Sequence, residues 1–435
     1  MLETKLTRIE KQLKEVLGEN VLEELAKQSG FIQRKRTVTA NGFIGSLLYS
    51  LGTRRVDTIA DLHRDFNHQN DDFINYKPYY EKLDTEAFGE MMRTLFESML
   101  NVMCLKVLSP LKDGPFSSFQ DIIVHDGSSF ALHDTLCDVF PGRFTRVSPA
   151  AVELHATMSL FHDNLTAVTI TADCECERHY TPDAKDLSQK LFMGDRGFDS
   201  TDFMKAIELN GGHFLIRIRS ILKPIVTKIR RIGRRYRRLE GQMLDKVLKA
   251  IPKRKLLDMD VCWQKPNGQF ECCFRLIAKY NWSDKSWMRL MTNLPVVLFS
   301  TKAVLEAYRL RWQIELYFKE LKSYANLHAF CTCKSNIAEG LLWASLCVAF
   351  LKRFFAHACQ YVDIGCHIST RRVAMCGHAF LGSVFRTMLN GFRGLKQNLI
   401  EAFRFLSKNA PRSNPKRERQ NGRLAGGLVS VGRIG

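Results

Sequence analysis

The sequence predicts an α/β protein with a mixed sheet near the middle of the chain and helical regions on either side. Three observations predict this class. Apolar residues recur at helical spacing through the first 105 residues and again after residue 299. Between residues 116 and 219, short strand-like segments alternate with helical ones, as in a mixed sheet. Residues 220–298 are strongly basic and then alternate between polar and apolar side chains, which predicts a β-rich insertion.

The N-terminal region, residues 1–105, is predicted to be all-helical. Segments 41–51 and 54–66 read as two helices joined by a Leu-Gly-Thr turn, with Arg54 and Arg55 at the start of the second. Together with the Arg-Lys-Arg run at 34–36, they are similar in pattern to a helix-turn-helix. Most helical hairpins bind no DNA, so this pattern alone is weak evidence for a nucleic-acid partner.

The central region contains five predicted strands and two predicted helices. The strands are expected at 121–126, 154–161, 165–171, 191–195 and 213–219, and the helices at 182–191 and 201–209. The first three strands suit an antiparallel meander, whereas the last two suit parallel crossovers. Asp126 and Asp195 then end two strands that lie side by side.

The insertion carries the strongest local charge in the chain. Residues 217–255 contain 15 Lys and Arg against 2 Asp and Glu, a local net charge of +13 within a chain of net charge +19. Such a field predicts a polyanion partner, and the interleaved aromatic and β-branched residues favour nucleic acid over a membrane. The alternative is a basic surface loop without a specific partner. The candidate phosphate-binding residues are Arg230, Arg231, Arg234, Arg235, Arg237 and Arg238.

A long helix that Ser300 would cap presents a second set of functional candidates. At roughly 100° per residue, Tyr308, Arg311, Glu315 and Lys322 fall within an arc of roughly 60° on one face. Leu310, Ile314, Tyr317, Phe318 and Leu321 occupy another face and form the predicted buried stripe. A carboxylate beside two cations and a phenol suits a metal ion held next to nucleic-acid phosphates. The alternative is a solvated face with weak ion pairs.

Asp126, Asp195 and Glu315 are the candidate metal ligands. Three carboxylates placed at two adjacent strand ends and on a following helix could hold two divalent cations. Oxygen ligands favour Mg²⁺, with Mn²⁺ as a substitute, over Zn²⁺. The turn pairs Asp-Gly at 126–127 and Gly-Asp at 194–195 also have a purely structural explanation. Asp163, Asp173 and Asp199 lie near other strand ends or helix starts and remain alternatives.

Composition favours a cytoplasmic protein with no membrane partner. The N-terminus has no apolar core of a signal peptide, and the apolar run at 340–351 is too short to span a bilayer. Thirteen cysteines without such a signal predict reduced thiols. The Cys-x-Cys pairs at 174–176 and 331–333 lack the Cys-x2-Cys spacing of structural zinc sites. Residues 356–408 are predicted to be helical and residues 409–435 to be a disordered basic tail.

The spacing Tyr308-x2-Arg311-x3-Glu315-x6-Lys322 resembles the Y-R-E-K signature of the DDE transposases of bacterial insertion sequences, the insertion-sequence-four family. Val-His-Asp-Gly-Ser at 124–128, Met-Gly-Asp-Arg-Gly-Phe at 193–198 and Thr-Asn-Leu-Pro at 292–295 resemble that family's other motifs. The resemblance covers roughly residues 120–355 and shows no departure at the four signature positions.

This resemblance implies a ribonuclease-H-like core at 116–219 and 299–355, interrupted by the insertion. It implies that Asp126, Asp195 and Glu315 are catalytic and hold two Mg²⁺ ions, and that Tyr308, Arg311 and Lys322 contact DNA phosphates. It further implies cleavage at terminal inverted repeats, transfer of the 3′-ends to target DNA, and a homodimer that pairs two ends. Residues 1–105 would then bind DNA ends, and the late helices (residues 341–355) are a candidate dimer surface. Trp263, Trp282 and Trp287 are candidates for holding an unstacked base, although packing within the insertion is the more ordinary role.

Two other functions remain open. A non-enzymatic DNA-binding protein derived from a transposase would bind inverted repeats without cutting them. A ribonuclease-H-like nuclease acting on RNA or repair substrates would cut without joining, but the basic insertion and helical N-terminal region favour a dedicated DNA-end binder.

Overall fold

The computed structural model describes residues 2–34, 38–70, 73–110, 112, 114–230, 234–264, 270–325, 330, 332–363, 367–413 and 428–430. Its α-helices are α1 (Leu2–Leu17), α2 (Glu19–Gln28), α3 (Ala40–Thr53), α4 (Ile59–Gln69), α5 (Tyr76–Leu83), α6 (Glu86–Val102), α7 (Thr201–Leu209), α8 (Leu244–Ala250), α9 (Thr301–Tyr308), α10 (Trp312–Tyr324), α11 (Ser335–Val362), α12 (Thr370–Met375), α13 (Gly377–Leu389) and α14 (Leu395–Asn409). Its strands are β1 (Leu108–Pro110), β2 (Asp121–Ala131), β3 (Pro141–Phe144), β4 (Ser148–Ser159), β5 (Asn164–Ala172), β6 (Lys190–Gly194), β7 (His213–Arg217), β8 (Ile225–Arg230), β9 (Leu257–Gln264), β10 (Phe270–Asn281), β11 (Ser286–Thr292) and β12 (Leu428–Ser430).

A ten-stranded mixed sheet organises the centre of the molecule. Its order is β3-β4-β2-β6-β7-β11-β10-β9-β8, and β5 also pairs with β4. β2, β4 and β5 form the predicted antiparallel meander, whereas β2, β6 and β7 are parallel, as predicted for the crossovers. The predicted α/β class with a mixed sheet is therefore confirmed.

β2 is longer than predicted. The strand runs past Asp126 to Ala131 because β4 pairs with it along this whole length, up to the pair Ala131 and Ala151. The residues Ile122 and Val124 are fully buried. Asp126 therefore lies in the middle of a strand instead of at its end.

The helix predicted at 182–191 is wrong. Ala184–Leu187 forms only a short 3-10 turn, which Asp183 caps by accepting a hydrogen bond from the Lys185 amide. Lys190 and Leu191 belong to β6, where they pair with Asp121 and Ile122. The residues that were expected to continue the helix therefore form a strand, because they pair with β2 in the sheet. The other predicted helix, α7, has its predicted bounds, and the Ser200 side chain accepts from the Phe203 amide at its start.

The strands at 220–298 extend the central sheet. β11 pairs antiparallel with β7, so hydrogen bonding continues from the core into the insertion without a break. Cys262 and Cys273 are directly opposed on β9 and β10 and form a disulfide bond. The prediction that all thiols are reduced is therefore wrong for these two cysteines.

The N-terminal helices pack against the C-terminal ones. One buried apolar cluster includes side chains of α1–α6, of the core strands and of α10–α14. α11 is long and apolar enough to cross a membrane, and 94% of its apolar window is buried inside the protein. The expected dimer surface at 341–355 is wrong for this reason: nearly all of it is core.

The C-terminal segment contains one described strand. β12 pairs antiparallel with β1, within the stretch that was predicted to be a disordered tail. Residues 414–427 and 431–435 lie outside the described residues.

Candidate active site

Asp126 and Asp195 are brought together by the parallel pairing of β2 and β6. Val124 lies opposite Met193, so the next inward positions of the two strands are the two aspartates. Asp126 is half-buried and accepts a hydrogen bond from the Gly127 amide at 3.1 Å. Asp195 follows β6 directly and remains partly exposed. The prediction that these two carboxylates lie side by side follows from this register.

The segment that carries the signature residues is a broken helix. α9 begins at the predicted Ser300 cap, and a 3-10 turn at Arg309–Arg311 separates it from α10. The prediction of one continuous helix from Ser300 to Lys322 is therefore wrong. The predicted buried stripe is confirmed, because each of its members is buried. These members are Leu310, Ile314, Tyr317, Phe318 and Leu321.

Arg311 joins two of the predicted metal ligands. Its guanidinium is 9% exposed, and Nη1 donates to Asp126 Oδ2 at 3.0 Å. Nη2 donates to Glu315 Oε1, one turn further along α10. A planar guanidinium can bridge two carboxylates in this way, whereas a lysine ammonium lacks the fork. Asp126 and Glu315 are therefore close enough to share one cation.

Tyr308 completes the contact with the third acid. Its hydroxyl donates to Asp195 Oδ1 and lies equally far, 3.4 Å, from the Gly194 carbonyl oxygen. Burial, reinforced by the Asp195 charge, raises the pKa of Tyr308, so the phenol stays protonated and acts as a donor. Arg217 on β7 lies 3.9 Å from the same carboxylate. It is a cation near the acids that the sequence reading counted only as part of the basic segment.

The carboxylates repel one another. Burial raises the pKa of Asp126 to about 7, with Arg311 opposing the shift and Glu177 and Asp195 adding to it. A group of half-buried acids with one internal cation attracts further positive charge. This is the electrostatic setting in which a divalent ion binds.

Glu177 is a nearby acid that the sequence reading missed. A Cβ at Gly127 would lie 2.9 Å from Glu177 Oε1, and a Cβ at Gly197 would lie 2.9 Å from its Oε2. Glu177 therefore lies between the residues that follow Asp126 and Asp195. Burial, together with Glu153 and Asp195, raises its pKa. Its sequence signal was weak, because it lies in a Cys-rich stretch that was considered only for zinc.

The alternative aspartates have other partners. Asp163 accepts from buried Arg353 at 2.7 Å, and Asp199 accepts from Arg219 at 2.8 Å. Asp173 accepts from the Ser129 hydroxyl and from the backbone amide of Arg143. Within the described residues, none of their hydrogen bonds involves a signature residue.

The predicted metal ligands Asp126, Asp195 and Glu315 all offer carboxylate oxygens. Within the described ranges, no group of three or more His, Cys, Asp or Glu side chains is gathered closely enough to hold an ion. Asp126 and Glu315 nevertheless converge on a single guanidinium, and both supply the oxygen ligands that Mg²⁺ prefers. Asp126 and Glu315 are thus chemically suited to binding a divalent ion. In the structure the guanidinium of Arg311 supplies the positive charge between these two carboxylates.

Lys322 is on the same helix but away from the acids. It is exposed, and its Nζ lies 5.0 Å from the centre of the Phe130 ring. Of the three candidate tryptophans, Trp282 is the most exposed, at the turn between β10 and β11. Trp263 and Trp287 are half-buried.

The basic insertion is divided between paired and exposed arginines. Arg230 donates to both oxygens of Asp260 at 2.6 Å, so it is already paired. Arg231 lies outside the described residues, and for Arg234 only the backbone is described. Arg235, Arg237 and Arg238, which we call the outer arginine cluster, are exposed on a 3-10 helix after β8. This cluster lies beyond the far edge of the sheet from the acids, and its binding to phosphates stays a prediction.

Comparison with known proteins agrees with the motif spacing. The family described as "Transposase DDE domain" matches residues 117–351. The transposase for insertion sequence element IS1151 of Clostridium perfringens is 22% identical over 357 residues, 73% of this chain and 74% of the relative. The transposase for insertion sequence element IS231C of Bacillus thuringiensis subsp. berliner is 20% identical over 437 residues, 92% of this chain and 90% of the relative. A solved piggyBac transposase synaptic complex with hairpin DNA aligns over 95% of this chain and 86% of its own, at 11% identity and a TM-score of 0.47.

Proposed function

The chain belongs to the family of insertion-sequence transposases with a DDE domain, and we propose that it binds the terminal inverted repeats of its element, cleaves the DNA ends and joins the 3′-ends to target DNA. The observation that carries this proposal is the convergence of the signature residues on the acids. Arg311 contacts Asp126 and Glu315, and Tyr308 contacts Asp195.

Asp126, Asp195 and Glu315 would hold two Mg²⁺ ions, or Mn²⁺ in their place. When bound, these ions would activate a water or a 3′-hydroxyl and stabilise the leaving oxygen. The raised pKa of Asp126 is consistent with this, because a divalent cation would offset both the loss of solvation on burial and the repulsion from Glu177. Glu315 is positioned by α10, whose opposite face is locked by buried Ile314 and Leu321.

The DNA contacts would come from cations around the acids. Arg311 has the geometry to grip a phosphate through two nitrogens, and Tyr308 can donate from a stiff ring. Lys322 would contact the backbone two helical turns from Glu315. The outer arginine cluster would contact the same DNA further from the cut. A homodimer would pair the two ends, and the protein would act in the bacterial cytoplasm.

The test is excision from a plasmid that carries the gene with its native flanking DNA. Wild type should excise the element with Mg²⁺, and Glu315→Gln should reduce excision by at least about 100-fold. Glu306→Gln is the matched control, since Glu306 is a partly exposed acid on α9 with only a weak pair to Lys302. Equal excision by Glu315→Gln and Glu306→Gln would refute the assignment of Glu315. Joining of 3′-ends is measured separately with pre-cut ends.

A second candidate is a DNA-binding protein without catalysis. It is favoured by one observation: the acids are held by Arg311 and not gathered into an ion site within the described residues. Specific binding of wild type to the flanking DNA, with neither excision nor joining in Mg²⁺ or Mn²⁺, would support this second function.

A further inference from the structure

A second concave surface lies at the far end of α10. It has a volume of about 250 Å³ and is formed where the end of α3 meets the last turn of α10 and the junction of α12 and α13. Its lining contributes Arg54, Arg55, Lys322, Lys352 and His378. No Asp or Glu is found among the lining residues in the described part of the chain. We call this surface the Lys352 groove.

Lys352 is the buried cation of this groove. Its side chain is 6% exposed, and its Nζ donates to the Tyr324 carbonyl oxygen at 2.8 Å. An ammonium group has three N–H donors. Among the described residues no second acceptor is present for it. Gly377 packs tightly against Lys352, because a Cβ there would lie 2.7 Å from Lys352 Cε and 2.8 Å from the Gly52 carbonyl oxygen.

The neighbouring residue shows how this protein usually satisfies a buried cation. Arg353 is equally buried, and it is paired with Asp163 and Glu320 at 2.7 Å each. Lys352 has no such acid, and burial lowers its pKa to about 8 without an opposing charge. At neutral pH it is still mostly protonated. In this groove Arg54 pairs with Asp65 and Arg55 with Asp57, whereas Lys322 and Lys352 form no ion pair among the described residues. A buried ammonium without a carboxylate partner indicates an anion supplied from outside.

The groove lies on the path of a strand that leaves the acids along α10. Lys322 is seven residues beyond Glu315, which is roughly 10 Å along the helix axis. Successive phosphates of one DNA strand advance roughly 3.4 Å along the duplex. Lys322 borders the groove and, among the described residues, forms no ion pair. A backbone that passes Lys322 therefore reaches the groove within a few nucleotides.

We propose that the Lys352 groove binds one backbone phosphate of the transposon-end DNA, roughly three nucleotides from the bond that the acids act on. This rests on the proposed function and adds a specific phosphate contact to it. Lys352 donates a charge-assisted hydrogen bond to the phosphate, and Lys322 and Arg55 flank it. The pair between Arg55 and Asp57 is exposed on both sides, so Arg55 can exchange it for a phosphate.

The first measurement is binding of the full chain to a duplex containing the native element end, in EDTA at several salt concentrations. Lys352→Met keeps the length of the side chain and removes its charge. We expect an affinity about 10-fold lower and a slope of log K against log salt that is smaller by about one. Arg55→Gln, on the surface, should weaken binding in the same direction. Lys302→Gln is the matched control on α9 and should stay within about 2-fold of wild type.

The second measurement replaces single phosphates of the duplex by uncharged methylphosphonates. For the wild-type protein, methylphosphonate replacement at one position near the cut should lower the DNA affinity about as much as the Lys352→Met substitution does. At that position alone, methylphosphonate replacement should cause no further loss of DNA affinity in the Lys352→Met variant. Such a non-additive position is the direct signature of the contact.

Each other outcome is decisive. If Lys352→Met and Arg55→Gln bind with wild-type affinity and salt slope, the groove proposal is wrong while the proposed function stands. If inorganic phosphate raises the thermal midpoint of wild type and not of Lys352→Met, with equal DNA affinities, the groove binds free phosphate and the DNA contact is wrong. If wild type itself does not bind the element end, the proposed function fails together with the groove.

Discussion

At the scale of single residues, Arg311 has two roles in this site. In the protein alone its guanidinium neutralises Asp126 and Glu315, which lie on β2 and α10. In the proposed complex the same group would grip a phosphate. The acids would then exchange one internal positive charge for bound metal ions, so Arg311 would neutralise the acids in the protein before it binds metal and DNA.

Replacing Arg311 should make the protein depend on metal for stability. Arg311→Gln leaves Asp126 and Glu315 without their cation, and we expect it to lower the free energy of unfolding by about 2 kcal/mol in EDTA. Mg²⁺ should then stabilise the variant more than it stabilises wild type, because it fills the missing charge. Thermal unfolding with and without Mg²⁺ measures this. Arg309→Gln, an exposed neighbour, is the control, and equal Mg²⁺ responses in all three proteins would contradict the idea.

His162 should contribute stability that disappears in mildly alkaline solution. The Asp121 carboxylate, 3.8 Å from the His162 ring, raises the pKa of His162 to about 9, with a further contribution from Cys104, above the ordinary 6.5. The folded protein therefore holds the proton more tightly, so this stabilisation is complete below about pH 6.5 and is lost as pH rises through about 9. Because the side chain is 31% exposed, we expect only about 1 kcal/mol. Urea unfolding of wild type and His162→Gln should differ by this amount at pH 6 and converge near about pH 10, with His179→Gln as a surface control.

The sequence identified the signature residues but not all of their contacts. The spacing of Tyr308, Arg311 and Glu315 was enough to predict a shared site. The bridge from Arg311 to Asp126 joins residues 185 positions apart and depends on the sheet register. Glu177 has no periodic or motif signal, and only folding of the Cys-rich stretch brings it near Asp126.

At the scale of elements, the break between α9 and α10 shapes the site. The 3-10 turn at Arg309–Arg311 winds more tightly than an α-helix, so it changes the angle between Tyr308 and the residues of α10. Leu310 anchors the turn, because its side chain is 3% exposed. Tyr308 can thus reach Asp195 while Arg311 turns toward Asp126.

Shortening Leu310 should disturb both stability and activity. Leu310→Ala removes a buried side chain from the turn and should lower the free energy of unfolding by about 2–4 kcal/mol. The fractional loss of excision activity should be larger than the fraction of the protein that is unfolded, because the turn orients Tyr308 and Arg311. Denaturant unfolding and excision are measured on the same preparations. Arg309→Ala, one residue earlier and exposed, should leave stability within about 0.5 kcal/mol, and parallel losses in both variants would contradict this role of Leu310.

The elements that were predicted correctly have strong local signals. α7 has a Ser cap and two glycines after it, and β4 and β5 alternate in polarity. The errors occur where pairing in the sheet overrides local preference. Lys190 and Leu191 were expected in a helix but form part of β6, and pairing with β4 extends β2 beyond Asp126.

At the scale of the whole molecule, the helical regions at the two ends of the chain share one core. The predicted borders near residues 105 and 356 stay predictions, but buried contacts cross both of them. One close approach is between α6 and α11. A Cβ at Gly340 would lie 2.1 Å from a ring carbon of Phe88, so only glycine lets the two helices pack this closely.

Two glycine substitutions test this contact. Gly340→Ala should lower the free energy of unfolding by about 1–3 kcal/mol, because the added methyl group collides with Phe88. Gly89→Ala on the facing helix is the matched control, since its Cβ would lie an ordinary 3.5 Å from Glu339. It should be neutral or stabilise by up to about 1 kcal/mol through helix propensity. Thermal unfolding that shows the same change for both variants would contradict tight packing at Gly340.

The unbroken sheet between β6 and β8 fixes the distance between the acids and the outer arginine cluster. Five strand-to-strand steps separate β6, which ends beside Asp195, from β8, which precedes the outer arginine cluster. At roughly 4.8 Å per step this is roughly 24 Å, and hydrogen bonds hold that distance constant. In the units of a duplex it is roughly seven base pairs. In the proposed complex this fixed distance would set the spacing between the cut and the DNA contacted by the outer arginine cluster, so contacted bases moved by half a helical turn would face away from the cluster.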